Sequence, residues 1–213
     1  MGPVVCMITD RRRLGPHAEE ALIRRIGLAA RAGIHLIQIR ERDMADGALL
    51  ALVQQALAAV RGTRARVLVN DRVDVALAAG AHGVHLRGDS VPAARVRAVT
   101  PPAFLIGRSV HARDEVAALS AEGAVDYLLF GTVFLTASKP NQAATGVGGF
   151  ATAATASKGI PVLAVGGMTL ESARRLAGTG SAGFAAIGQF SDGPEDDLAA
   201  TVTAALAAWD NPR

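Results

Sequence analysis

The chain has 213 residues, half of them hydrophobic, with 19% charged and 4% aromatic residues and a formal net charge of +3. That length and apolar content fit one globular domain with a sizeable core and exclude a disordered chain. Basic residues are scattered among acids with few aromatics to stack on bases, which argues against a nucleic-acid partner.

The first apolar run, VVCMITD (4–10), carries the single cysteine, Cys6, which has no partner for an internal disulfide and reads as a small core residue. HLIQIR (35–40), RVLVND (66–71), GVHL (83–86) and FLIGRSV (104–110) follow. DYLLFGTVF (126–134), PVLAVGG (161–167) and GFAAIGQF (183–190) complete the series. Near-continuous apolarity without strict alternation predicts strands covered on both faces, as in a parallel sheet. Helical spacing occupies the intervals at 17–32, 46–61, 73–79, 92–99, 112–122, 150–158, 169–178 and 194–208. Eight strand–helix units predict an α/β fold, a single-domain (β/α)8 TIM barrel over residues 1–213. A doubly wound sheet is the alternative, but no glycine-rich dinucleotide fingerprint follows the first strand. No apolar run reaches the roughly 20 residues of a membrane span. No signal-peptide pattern is present either, so a cytoplasmic protein is expected. Self-association into a homo-oligomer is left open.

In such a barrel, chemistry is built at the C-terminal ends of the strands. Those ends carry Asp10, Gln38 with Arg40 and Arg42, Asn70 with Asp71, and Arg87 to Ser90. Beyond them come Ser109 with His111, the run Thr136 to Lys139, Gly166 with Gly167, and Gly188. Arg40, Arg42 and Lys139, with the hydroxyls of Thr136 and Ser138, make a set suited to a phosphate or diphosphate. Gln38, Arg40 and Arg42 are spaced two apart, which places them on one face of an extended strand. A glutamine in a buried strand needs partners that a ligand can supply. Asn70 offers both a donor and an acceptor to a heteroaromatic edge. Two roles are open to Asp71, ligating Mg²⁺ or capping the next helix. Gly167 and Gly188, at strands seven and eight, stand where barrels of this kind bind phosphate through backbone amides. Gly146, Gly148 and Gly149 read as loop flexibility, within a polar loop from Thr136 whose length suits a lid. His35 and His85 read as structural, His17 and His82 as surface or loop, and His111 as a residue within reach of a ligand. No His/Cys/Asp grouping has zinc spacing.

Taken together, IQIRERD, VNDRVDVALAAGAHGVHL, IGRSVH, DYLLFGTVFLTASK and IPVLAVGGMT resemble, in order, the thiamin phosphate synthase and TenI-type family. The resemblance implies a (β/α)8 barrel that condenses hydroxymethylpyrimidine diphosphate with thiazole phosphate, releasing diphosphate with Mg²⁺ as cofactor. The other branch implies a tautomerase that aromatises the thiazole phosphate, and a non-catalytic thiazole-phosphate-binding protein is a third possibility. Under the synthase reading Gln38, Arg40, Arg42 and Asn70 meet the pyrimidine diphosphate, and Asp71 meets Mg²⁺. Ser109 and Lys139 meet the diphosphate, with Lys139, Ser109 and Arg40 as the catalytic set. Thr136 and Ser138 meet the thiazole phosphate, with Gly167 and Gly188 near it. Three departures stand out. Arg42 replaces a lysine. HLRGDSVP puts Ser90 where the family has a second metal-binding aspartate, with Asp89 one position earlier as a shifted ligand. Thr132 occupies the place of the tautomerase histidine and cannot shuttle protons near neutral pH.

Overall fold

The computed structural model describes residues 2–136 and 143–208. Eight parallel strands close in sequence order: β1 (Val4–Ile8), β2 (Leu36–Ile39), β3 (Arg66–Asn70), β4 (Gly83–Leu86), β5 (Leu105–Val110), β6 (Tyr127–Phe130), β7 (Val162–Val165) and β8 (Gly183–Ala186). Between them run α1 (Ala18–Arg31), α2 (Asp46–Ala59), α3 (Val73–Ala79), α4 (Ala93–Arg97), α5 (Arg113–Glu122), α6 (Gly146–Ala154) and α7 (Leu170–Leu176). After β8 come a single turn, α8 (Gly188–Ser191), and α9 (Leu198–Ala207). The barrel expected from the sequence is the barrel found. Among the described residues no helix is long and apolar enough to cross a membrane.

Alternation along each strand divides the apolar residues into two cores. Outward-facing residues such as Val5, Met7, Ile37, Val67 and Val84 join Leu22, Ile26 and Leu52 in the layer between sheet and helices. Inward-facing Cys6, Ile8, Leu36, Leu68, Tyr127 and Leu163 fill the barrel itself. The interior is crowded enough that a Cβ on Gly107 would lie 2.1 Å from the Tyr127 ring, so the glycine makes room for the tyrosine.

Several boundaries move from their sequence positions. β1 ends at Ile8, and Asp10 precedes a short 3-10 turn, where its carboxylate accepts from Arg12 Nε at 3.0 Å. GFAAIGQF stops being a strand at Ala186 because Ile187 turns into the helical region (φ −97°, ψ −70°), and Gly188 opens α8 instead of ending a strand. The sixth helix runs 146–154, not 150–158, so Gly146, Gly148 and Gly149 lie in its first turn rather than in a loop.

Both ends of the segment after β6 are tied to the barrel. Val133 N donates to Val165 O at 3.0 Å and Phe134 N to Gly166 O at 3.1 Å. On the return, Thr145 N donates to Thr132 O at 3.0 Å and Gly146 N to Val133 O at 2.9 Å. Arg175 of α7 stacks its guanidinium 5.1 Å from the Phe134 ring centre. Gly167, at φ +62°, lets this segment approach: a Cβ there would lie 2.4 Å from Leu135 O.

Candidate active site

The inward-facing rows set the mouth. Continuing Leu36 by two gives Gln38 and then Arg40; Leu68 gives Asn70; Gly83 gives His85 and Arg87; Gly107 gives Ser109 and His111. Short strands bring these polar groups to one end of the barrel within a few residues of an apolar interior.

Gln38 is 2% exposed, and its Nε2 is buried with no hydrogen-bond partner among the described residues. A buried amide left without a partner costs roughly 1–3 kcal/mol, which a ligand acceptor would recover. Arg40, half-buried beside it, makes no ion pair among the described residues. Burial, and then the positive charge of Arg42, push its guanidinium pKa down from the ordinary value. A desolvated cation next to another cation is a place where an anion is welcome. Arg42 itself is exposed on the turn after β2, so the strand face predicted for it ends at Ile39.

The position of Arg40 is set by residues that the sequence reading passed over. Thr9, fully buried, takes the Arg40 amide on its Oγ1 at 2.9 Å and donates to Glu41 Oε1 at 2.6 Å. Glu41, 4% exposed, also accepts from the Arg11 amide at 3.2 Å and from Arg11 Nη1 at 3.1 Å. Arg11 reaches on to Asp43 at 2.6 Å. The only signal in the sequence was an acidic residue between two arginines at a strand end.

Ser109 is aligned from below. His85, 2% exposed, holds Ser109 Oγ with Nε2 at 2.9 Å and the Tyr127 hydroxyl with Nδ1 at 2.9 Å. Desolvation pushes the His85 pKa down to about 3, so the ring is neutral at physiological pH. When the Tyr127 hydroxyl donates to Nδ1, the proton is on Nε2 and points at Ser109, whose own hydroxyl proton is then left for an anion. His85 is structural, as read from the sequence, and through Ser109 it also shapes the mouth. His111 Nδ1 lies against Gly131 O, one residue before the buried Thr132.

Asp71 follows β3 in the left-handed region (φ +63°), a conformation that favours Gly, Asn or Asp. It does not cap α3: the cap position is Arg72, without a side-chain cap bond. Ser90 Oγ donates to Asp71 Oδ1, and Arg87 Nη1 lies 3.4 Å from Oδ2. Asp89 is exposed and engaged by Arg87, whose Nε donates to it at 2.9 Å. Asp71 thus meets Ser90, the residue at the family's second aspartate position, rather than Asp89. Thr136 is half-buried on the loop after β6, whereas Ser138 and Lys139 lie outside the described residues. Gly167 and Gly188 sit at the ends of β7 and β8 on the same side of the barrel.

The family model for thiamine monophosphate synthase matches residues 5–190, which include every mouth residue above. The chain belongs to the thiamine monophosphate synthase family. It is 35% identical over 96% of its length to a thiamine-phosphate synthase of Roseiflexus castenholzii, covering 88% of that protein. Against the Chlorobium phaeovibrioides thiamine-phosphate synthase the identity is 38%, over 93% of this chain and 91% of the other. Among solved structures, the thiamine phosphate pyrophosphorylase of Pyrococcus furiosus superposes with a TM-score of 0.79 at 29% identity, covering 97% of this chain and 95% of that one. 3-Hexulose-6-phosphate synthase superposes at 0.69 with 14% identity, which places the family among barrels of the same fold.

Proposed function

We infer that this chain is a thiamine-phosphate synthase, which joins hydroxymethylpyrimidine diphosphate to thiazole phosphate and releases diphosphate. The observation that carries this reading is the pairing, at one barrel mouth, of an unpartnered buried amide (Gln38) with a half-buried arginine free of any ion pair among the described residues (Arg40). The first suits a heterocycle edge and the second a diphosphate.

In the reaction the C–O bond from the pyrimidine methylene to the diphosphate breaks, and its electron pair leaves with the diphosphate. The thiazole nitrogen then supplies the pair for the new C–N bond. No proton need pass between protein and substrates, so a mouth of cations, amides and hydroxyls suffices. Gln38 and Asn70 orient the pyrimidine, while Arg40 and Ser109 hold the diphosphate, with Lys139 and Arg42 adding charge. Thr136, Ser138, Gly167 and Gly188 take the thiazole phosphate. Asp71 is the carboxylate that would hold Mg²⁺, with substrate phosphates and water completing the shell, once its oxygens exchange Ser90 and Arg87 for the ion. Bound there, the ion would neutralise charge developing on the departing diphosphate. The apolar interior below keeps water from the reacting carbon.

The deciding experiment supplies purified protein with both substrates and Mg²⁺ and measures thiamin phosphate. Product that disappears when Mg²⁺ is withheld is the expected result. Lys139→Ala should abolish turnover with little change in thermal stability, and undiminished turnover would remove Lys139 from the site. His111 beside Gly131 and Thr132 supports a second reading, a TenI-type tautomerase with a displaced acid–base group. Metal-independent aromatisation of the thiazole phosphate without condensation would establish it. Binding of thiazole phosphate with neither reaction would mark a binding protein.

A further inference from the structure

Arg87 extends the inward row of β4 one residue past the strand, and its guanidinium reaches both carboxylates expected to meet the metal. Nη1 lies 3.4 Å from Asp71 Oδ2, while Nε donates to Asp89 Oδ1 at 2.9 Å and Nη2 to Asp89 Oδ2. Ser90 Oγ accepts the Arg87 amide at 2.8 Å and donates to the other oxygen of Asp71. Each oxygen of Asp71 therefore already faces a donor of the chain itself. The turn carrying these donors is held from outside the barrel. Arg108 donates to Val91 O and Gly88 O at 2.8 Å and to Ser90 O at 3.0 Å. The backbone is thus pinned, and the part-exposed Arg87 guanidinium is held on one edge by Asp89 and turns its remaining nitrogen, Nη1, to Asp71.

We propose that Arg87 is an internal counter-cation competing with the divalent metal for Asp71, so that the metal enters with the diphosphate rather than before it. The proposal rests on the reading of Asp71 as the metal carboxylate. A single carboxylate shared with a guanidinium is a poor site for an ion as reluctant to lose water as Mg²⁺. Arrival of a diphosphate reverses the balance. Its oxygens would complete the metal's shell and give Arg87 Nη1 a charged acceptor in exchange for Asp71, while Nε and Nη2 stay on Asp89. Metal and diphosphate then raise each other's affinity, as coupling between sites requires. The serine at position 90 belongs to the same arrangement: it takes up one Asp71 oxygen without adding a second negative charge that would hold a metal in the empty enzyme.

Equilibrium dialysis of the full chain with Mn²⁺, with and without inorganic diphosphate, tests this without measuring turnover. The wild type should bind Mn²⁺ weakly alone and tightly with diphosphate. Arg87→Gln should tighten binding of Mn²⁺ alone by about fivefold, the size of one partly exposed ion pair. Arg87→Lys, which keeps the charge, should stay near the wild type. Circular dichroism confirms that each variant is folded. Unaltered Mn²⁺ affinity in Arg87→Gln, with binding still abolished by Asp71→Asn, overturns the competition and leaves Asp71 as the metal carboxylate. No tightening by diphosphate in the wild type overturns joint entry. Mn²⁺ binding that survives Asp71→Asn overturns both the proposal and the metal reading on which it rests.

Discussion

Gln38 Nε2, buried without a partner among the described residues, carries a cost that a substrate acceptor would remove on the proposed reading. Gln38→Met keeps the volume and deletes the unpartnered Nε2, so stability should rise by about 1–3 kcal/mol. In a chain of this size that is a gain of roughly 2–4 °C in Tm per kcal/mol. The same variant should lose at least about tenfold in kcat/KM, the order of one hydrogen bond to substrate. A variant that is neither more stable nor less active would show that the amide serves no ligand. On the proposed reading Ser109→Ala removes one donor to the leaving diphosphate, and kcat should fall by about 10²-fold. Because it also strips the buried His85 Nε2 of its partner, stability should drop by about 1–3 kcal/mol, read as a lower Tm. At this scale the sequence was informative where a polar residue closed an apolar run, as at Gln38, Asn70, Asp71 and Ser109. It was silent on Thr9 and Glu41, because their partnership spans 32 positions and becomes visible only when β1 and β2 pair. Arg87 could be placed at the mouth from the sequence, but its grip on Asp71 depends on a side-chain reach that spacing does not encode.

Among the elements, β5 and β6 are matched through Gly107 and Tyr127. Gly107→Ala drives a methyl into the Tyr127 ring. It should cost about 1–3 kcal/mol, in line with other overpacked cores, read as a lower Tm. Displaced with the ring is the support of His85 and Ser109, so activity should fall further than stability alone explains. Strand positions were legible because barrel strands are buried on both faces and read as apolar runs. The end of β8 was not, since AAIGQF stays apolar through a change of backbone conformation at Ile187. The start of α6 was also missed. GVGG has poor helix propensity, and those turns form where the backbone at Thr145 and Gly146 is already tied to Thr132 and Val133. His82, read as surface or loop, does lie in the bend before β4 and there accepts the Val67 amide on Nδ1 at 3.0 Å; His35 does the same for Val5 at 3.2 Å. Both rings link neighbouring strands at the end of the barrel away from the mouth.

For the whole molecule, these histidines set a response to acid. The His85 pKa is about 3 in the fold against an ordinary 6.5, and desolvation also lowers His82 and His35. Between those values the unfolded chain binds a proton that the folded chain refuses. Stability from His85 is therefore complete above about pH 6.5 and is lost at roughly 1.4 kcal/mol per pH unit as pH falls towards 3. Urea melts at pH 7.5, 5.5 and 4.5 should show this slope, and His85→Gln should flatten it while lowering stability at pH 7.5. An equal slope in the variant would assign the acid response to other groups. The barrel also separates what is fixed from what is free to vary. The neck after β6 is closed by amide-to-carbonyl bonds from Val133, Phe134, Thr145 and Gly146, and none of these bonds uses a side chain beyond the neck. A neck held by main-chain bonds depends on backbone position more than on side-chain identity, so Thr145→Ala, which keeps the amide bonded to Thr132, should change Tm little in a thermal melt.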